Sequence, residues 1–88
     1  MTEPPVEIHI ISDSTGDTAS RVARAVQAQF SGSPVSIIRH PRVTTTAGVD
    51  EVFRRLGNGR VTVFFTLIDS ALRERTTELC EQIGRAHV

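Results

Sequence analysis

Cysteine is almost missing from this 88-residue chain. Cys80 stands alone, so no internal disulfide can form, and a reducing, cytoplasmic setting is the expectation. Tryptophan and tyrosine are absent, which removes the aromatic platform on which nucleic-acid bases stack. Excess charge of either sign is absent too. Ten basic and ten acidic residues balance to zero, which argues against bulk nucleic-acid binding and against attraction to a membrane surface. No apolar run approaches the roughly 20 residues of a membrane-spanning helix. The start, Met1-Thr2-Glu3-Pro4-Pro5, is acidic and does not read as a signal peptide. The length suits one small domain with a modest core.

What is present is a repeating strand-then-helix pattern. Val6-Glu7-Ile8-His9-Ile10-Ile11 reads as a buried strand bounded by Pro4-Pro5. A helix is predicted from about Asp17 to Phe30, with Ala19, Val22, Ala23, Val26 and Phe30 on its apolar face. Ser31-Gly32-Ser33-Pro34 stops it. Val35 to Arg39 is the second strand, and Val43 to Gly48 a loop rich in threonine. A second helix is predicted from about Val49 to Leu56, ended by Gly57-Asn58-Gly59. Val61 to Thr66 is the third strand, β-branched and aromatic throughout. Asp69 is placed to cap a third helix from Ser70 to Gln82, with Leu72, Thr76, Leu79 and Ile83 in one stripe. The fold class this implies is α/β. Three β-α units form part of a parallel, doubly wound sheet of Rossmann or flavodoxin-like type. Half a sheet should leave Val63 and Phe65 poorly covered. Arg54-Arg55 and Arg73-Glu74-Arg75 read as exposed helix faces.

Parallel strands place their carboxyl ends on one edge, where open α/β sheets bind ligands. That edge collects Ser12, Asp13, Ser14, Thr15 and Gly16 from the first turn. It collects Arg39, His40 and Arg42 from the second turn, and Thr66 and Asp69 from the third. Hydroxyls, arginines and a helix amino end suit a phosphorylated ligand. Asp13 would repel phosphate directly, so its role is to hold Mg²⁺ or accept a proton, which makes it the catalytic candidate. Ser12, Ser14, Thr15, Gly16, Arg39, His40 and Arg42 are the ligand- or phosphate-binding candidates. A plainer reading stands beside this one. Ser14 and Asp17 approximate a capping box, and the arginines would be solvated loop charges. His9 alternates with apolar strand residues and reads as structural, with no partner at metal-ligand spacing. Cys80 reads as an inert helical thiol. No G-x-x-x-x-G-K-[ST] nucleotide loop occurs.

Ile10-Ile11-Ser12-Asp13-Ser14-Thr15-Gly16-Asp17-Thr18-Ala19, then Arg21-Val22-Ala23-Arg24-Ala25 and Ala28-Gln29-Phe30, carry a resemblance. So do Arg39-His40-Pro41-Arg42-Val43 and Val63-Phe64-Phe65-Thr66-Leu67-Ile68-Asp69 with Leu72-Arg73. Together they resemble the opening of the bacterial regulatory proteins of pyruvate, phosphate dikinase and of phosphoenolpyruvate synthase. Asp17 stands where that family more often has Glu. The resemblance implies a serine/threonine kinase that uses ADP to inactivate its target enzyme. It also implies a pyrophosphorylase that removes the phosphate with inorganic phosphate. ADP and inorganic phosphate would be substrates, with Mg²⁺ as an auxiliary ion. The partner would be the dikinase or the synthase, and a homo-oligomer is compatible with it. The family's nucleotide-binding loop would lie beyond this chain, so the chain alone is expected to be inactive. Residues 1–82 would form an amino-terminal domain of a longer protein. The last six residues, 83–88, match one reading frame of a common sequencing adapter and are expected to be a non-native tail. The competing expectations are a non-catalytic module that binds a phosphorylated ligand or partner protein, and a free-standing flavodoxin-like regulator.

Overall fold

A computed structural model describes residues 6–29, 34–56, 60–82 and 86–87. The readings made for Pro4-Pro5, Phe30, Ser31 to Ser33, Gly57 to Gly59, Ile83 to Arg85 and Val88 lie outside the described residues. The elements run β1 (Val6–Ser12), α1 (Asp17–Gln27), β2 (Val35–His40), α2 (Thr46–Arg54), β3 (Arg60–Thr66), α3 (Ser70–Gln82) and β4 (Ala86–His87). The three expected β-α units are present, in one parallel sheet of order β2-β1-β3-β4. β1 is the centre. Ile11 lies opposite His40 on one side and Phe65 on the other, and Ser12 pairs with Thr66.

Alternation along β1 splits the core in two. Ile8 and Ile10 face α1 and pack with Ala19 and Ala23. Ile11 faces the other way, into a larger cluster with Val43, Val49, Val52, Val61, Val63, Leu67, Leu72 and Cys80. So α1 lies on one face, and α2 and α3 on the other. This is the doubly wound arrangement that right-handed crossovers impose.

Several boundaries differ from expectation, each for a physical reason. α2 starts three residues before Val49, because Thr45 caps it by accepting the Gly48 N–H at 3.0 Å. α1 ends at Gln27, and Val22 sits outside the core at 51% exposure. Val63, expected to be poorly covered, is fully buried, because α3 closes over that face; Phe65 is half-buried. Arg75 is not a simple surface charge. Its Nε donates to Asp50 at 2.8 Å and ties α3 to α2, which raises the guanidinium above its ordinary value. A fourth strand, two residues long, adds to β3, with Thr62 opposite Ala86. Asp69 caps α3 as expected, accepting from the Ala71 N–H at 2.8 Å. Buried Thr76 satisfies its hydroxyl by donating to the Leu72 carbonyl at 2.8 Å.

Candidate functional site

The strand order decides where a ligand could sit. From β1 the chain steps to β2 on one side, then crosses to β3 on the other. The loops after β1 and β3 therefore part company, and a crevice opens between them at the carboxyl edge. A cleft of about 450 Å³ occupies this place, within the size range of small-molecule sites. Its walls are the whole turn from Ser12 to Thr18 and, across from it, Thr66, Leu67 and Ile68.

The turn is built without the expected capping box. Gly16, not Ser14, is the residue before α1, and no side chain caps the helix. Gly16 takes a left-handed φ of 80°, which its missing Cβ permits. The hydroxyls bond within the turn instead. Buried Ser12 accepts the Ser14 N–H at 3.1 Å through its Oγ, and Thr15 Oγ1 accepts the Asp17 N–H at 3.4 Å. The loop after β2 runs alongside: Val43 N–H donates to the Ser12 carbonyl at 2.8 Å, and Arg42 N–H to the Ser14 carbonyl at 2.9 Å. That second bond holds Arg42 at a φ of 56°, uncommon for a residue with a side chain.

Asp13 bridges the cleft. Its Oδ2 accepts the Ile68 N–H at 2.9 Å, so a half-buried carboxylate from the β1 turn holds the β3 loop. Arg73 grips the same loop from α3, donating through Nη1 to the carbonyls of Leu67 and Ile68. Leu67, Ile68 and Arg73 did not emerge from the residue types as cleft residues. Thr66 was expected there and lines it. Only the pairing of β1 with β3 shows that the stretch after Thr66 faces Asp13.

The candidates from the second turn lie elsewhere. Arg39, His40 and Arg42 are not among the lining residues. Arg39 reaches α1, its Nε donating to Ser20 Oγ and its Nη2 to Asp17 Oδ1, both at 2.6 Å. This guanidinium, with the Thr15 hydroxyl, holds the Asp17 carboxyl below its ordinary value. His40 belongs to β2 rather than to a loop, and it stacks on His9 with ring centroids 5.1 Å apart. His9 is buried, as its strand position implied. Its Nε2 lies 3.1 Å from Glu7 Oε1, and its Nδ1 lies 2.9 Å from His40 Nε2. The row is satisfied when His9 Nε2–H donates to Glu7 and His40 Nε2–H donates to His9 Nδ1.

Protonating His40 breaks nothing in that row but places a cation in a half-buried site. Burial first, then His9 and Arg55, hold its imidazole below the ordinary 6.5. As pH falls through about 6.5, the unfolded chain takes up the proton before the folded one. Stability is therefore full above that value and declines as pH drops towards the folded-state value. Urea midpoints at about pH 8 and about pH 5.5 should separate more in the parent than in His40→Gln. Equal separations would remove His40 from the acid response.

Among the described residues no group of three or more metal-ligating side chains converges, and no helix is long and apolar enough to cross a membrane.

A family model described as kinase/pyrophosphorylase matches residues 8–88, nearly the whole chain. The chain belongs to the kinase/pyrophosphorylase family. Three curated relatives carry the name "Putative pyruvate, phosphate dikinase regulatory protein". The chain is 37% identical to the one from Cutibacterium acnes in an alignment of 89 positions that covers 96% of this chain and 30% of that protein. It is 34% identical to the one from Acidiphilium cryptum, covering 90% of this chain and 27% of that protein. It is 39% identical to the one from Rhodopseudomonas palustris, covering 88% of this chain and 28% of that protein. The chain thus spans about 30% of the length of the curated relatives it matches.

Proposed function

We propose that this chain is the amino-terminal α/β part of a bifunctional regulator of pyruvate, phosphate dikinase or phosphoenolpyruvate synthase. In one direction the regulator transfers a phosphoryl group from ADP to a threonine hydroxyl of the target, releasing AMP. In the other, inorganic phosphate attacks the phosphothreonine and leaves as pyrophosphate, restoring the hydroxyl. The observation that carries the reading is the family match over residues 8–88, which includes every residue lining the polar cleft.

In this reading the cleft handles the hydroxyl and the phosphoryl oxygens, and Asp13 is the group that takes up the threonine proton. Its Oδ2 is engaged by the Ile68 N–H, which leaves Oδ1 to face the substrate. One carboxylate suits Mg²⁺ held mainly by substrate phosphates and water, since Mg²⁺ keeps several waters and needs few protein ligands. The ion would neutralise charge on the transferring group. Ser14 and Thr15 offer exposed hydroxyls on the same wall. Arg39 would act on a ligand only by exchanging Asp17 for it. The nucleotide is held elsewhere, in sequence that this chain does not contain.

Two consequences follow for the chain itself. The family match runs to Val88, so the proposal that residues 83–88 are adapter-derived is decided by clean long reads through the Gln82 codon, and an unbroken Ile-Gly-Arg-Ala-His-Val there would refute it. The full-length protein, incubated with dikinase or synthase, ADP and Mg²⁺, is expected to yield phosphothreonine on the target. The 88-residue chain under the same conditions should yield none. Turnover by the purified short chain would place the catalytic centre within these strands, and no turnover by the full-length protein on either target would overturn the reading.

A further inference from the structure

The face of the sheet that carries α1 is only partly covered. Among the described residues α1 is the one helix on this face, since α2 and α3 both pack on the other. Beside α1, over β3, runs a groove lined by Thr18, Ala19, Val22, Phe64, Phe65 and Thr66. Its volume is about 180 Å³ and its walls are mostly apolar. Thr18, Val22 and Ala25 stand at i, i+4 and i+7 on the exposed flank of α1. Such a row of small and aliphatic side chains is the ridge against which a neighbouring helix packs. Val22 is 51% exposed although it lies in an apolar stripe, and Phe64 across the groove is only half-buried.

The sheet order explains why no described element of this chain fills the groove. Each right-handed crossover after β2 places its helix on the α2–α3 face, so extending the sheet past β3 cannot cover Phe64. A helix reaches this side only if the chain later reverses direction across the sheet. About 70% of each curated relative lies outside the region shared with this chain, which is ample length for that reversal.

We infer that the groove between α1 and β3 is the docking site of an amphipathic helix supplied by the remaining part of the full-length protein. Its stripe is aliphatic, to meet Val22 and Phe64. Its flank is acidic, because Arg21 borders the exposed ridge. A second copy of this chain fits less well. Two copies meeting at this ridge would bring their Arg21 side chains together, like charges facing like. The inference goes beyond the proposed activity and asks nothing of the Asp13 cleft.

The test is thiol protection. Val22→Cys is a mild change, and Cys80, being fully buried, gives little background. Full-length V22C and, as a control on the far flank of α1, full-length R24C are treated with a maleimide, and each labelled peptide is followed by mass spectrometry. V22C is expected to label at least tenfold more slowly than R24C in the native protein, and at the same rate in urea. Equal native rates would overturn the docking, and so would a natural reading frame that ends without further helices. A concentration series on V22C in the 88-residue chain provides the other arm. A labelling rate independent of concentration supports the helix, whereas slowing at high concentration assigns the groove to a second copy and overturns it.

Discussion

Asp13→Asn in the full-length protein is expected to lower phosphotransfer to the target by about 10²- to 10⁴-fold, the range of a positioned acid–base group. The amide keeps an oxygen that can accept the Ile68 N–H, so the bridge across the cleft survives. Thermal unfolding should therefore move by no more than about 2 °C. Asp13→Ala separates the two roles. It removes the charge and the acceptor together, leaving the Ile68 N–H without its partner, and should add a stability loss of about 1–3 kcal/mol. The decisive comparison is kcat against unfolding midpoint in both variants. If the Asn variant turns over like the parent while the Ala variant is merely less stable, Asp13 is a clamp and no more.

The second large effect concerns the core. Ile11 is fully buried at the point where β1 meets Val43, Val49 and Val63. Ile11→Ala should cost about 2–5 kcal/mol, combining lost burial with an incompletely collapsed cavity. Native domains have only about 0.05–0.15 kcal/mol of stability per residue, so a chain this short has little to spare. Urea denaturation should show a large drop in midpoint, or no folded baseline at all. Ile68, also an isoleucine but 84% exposed, makes the internal control. Ile68→Ala should change stability by less than about 0.5 kcal/mol. Similar losses for the two would contradict the placement of Ile11 in the core and Ile68 at the cleft mouth.

The elements were legible in the sequence because their signals are local. Asp69 before an apolar stripe announced its cap, and the β-branched run from Val61 announced a strand. The first turn announced itself as a polar junction. Other features were not legible, because they depend on which strand lies beside which. Residue types placed Arg39, His40 and Arg42 on the same edge as Asp13. They carried no sign that β3, rather than β2, forms the opposite wall of the cleft. A near-continuous apolar run says that a strand has two covered faces; it is silent on the neighbour. Hence Leu67 and Ile68 passed unnoticed, and Val22 read as core although it faces the open groove. The capping box failed for a different reason. Gly16 can take a left-handed backbone, which lets the helix begin two residues later than a Ser14 cap would require.

The central position of β1 has a bearing on how the chain reaches this shape. β1 is the first strand to leave the ribosome, yet neither of its partners is near it in sequence. Val6 must find Val35 on one side and Arg60 on the other. Each closure spends loop entropy before any ladder bond repays it, so the folding nucleus has to span distant segments. During synthesis one edge of β1 can pair once residues 35–40 emerge, but the other stays open until residues 60–66 do. The interval in which nascent Ile8, Ile10 and Ile11 are exposed is thus set by translation speed rather than by the stability of the finished fold. Slowing the ribosome before β3 lengthens the period in which those residues offer themselves to chaperones or to other nascent chains.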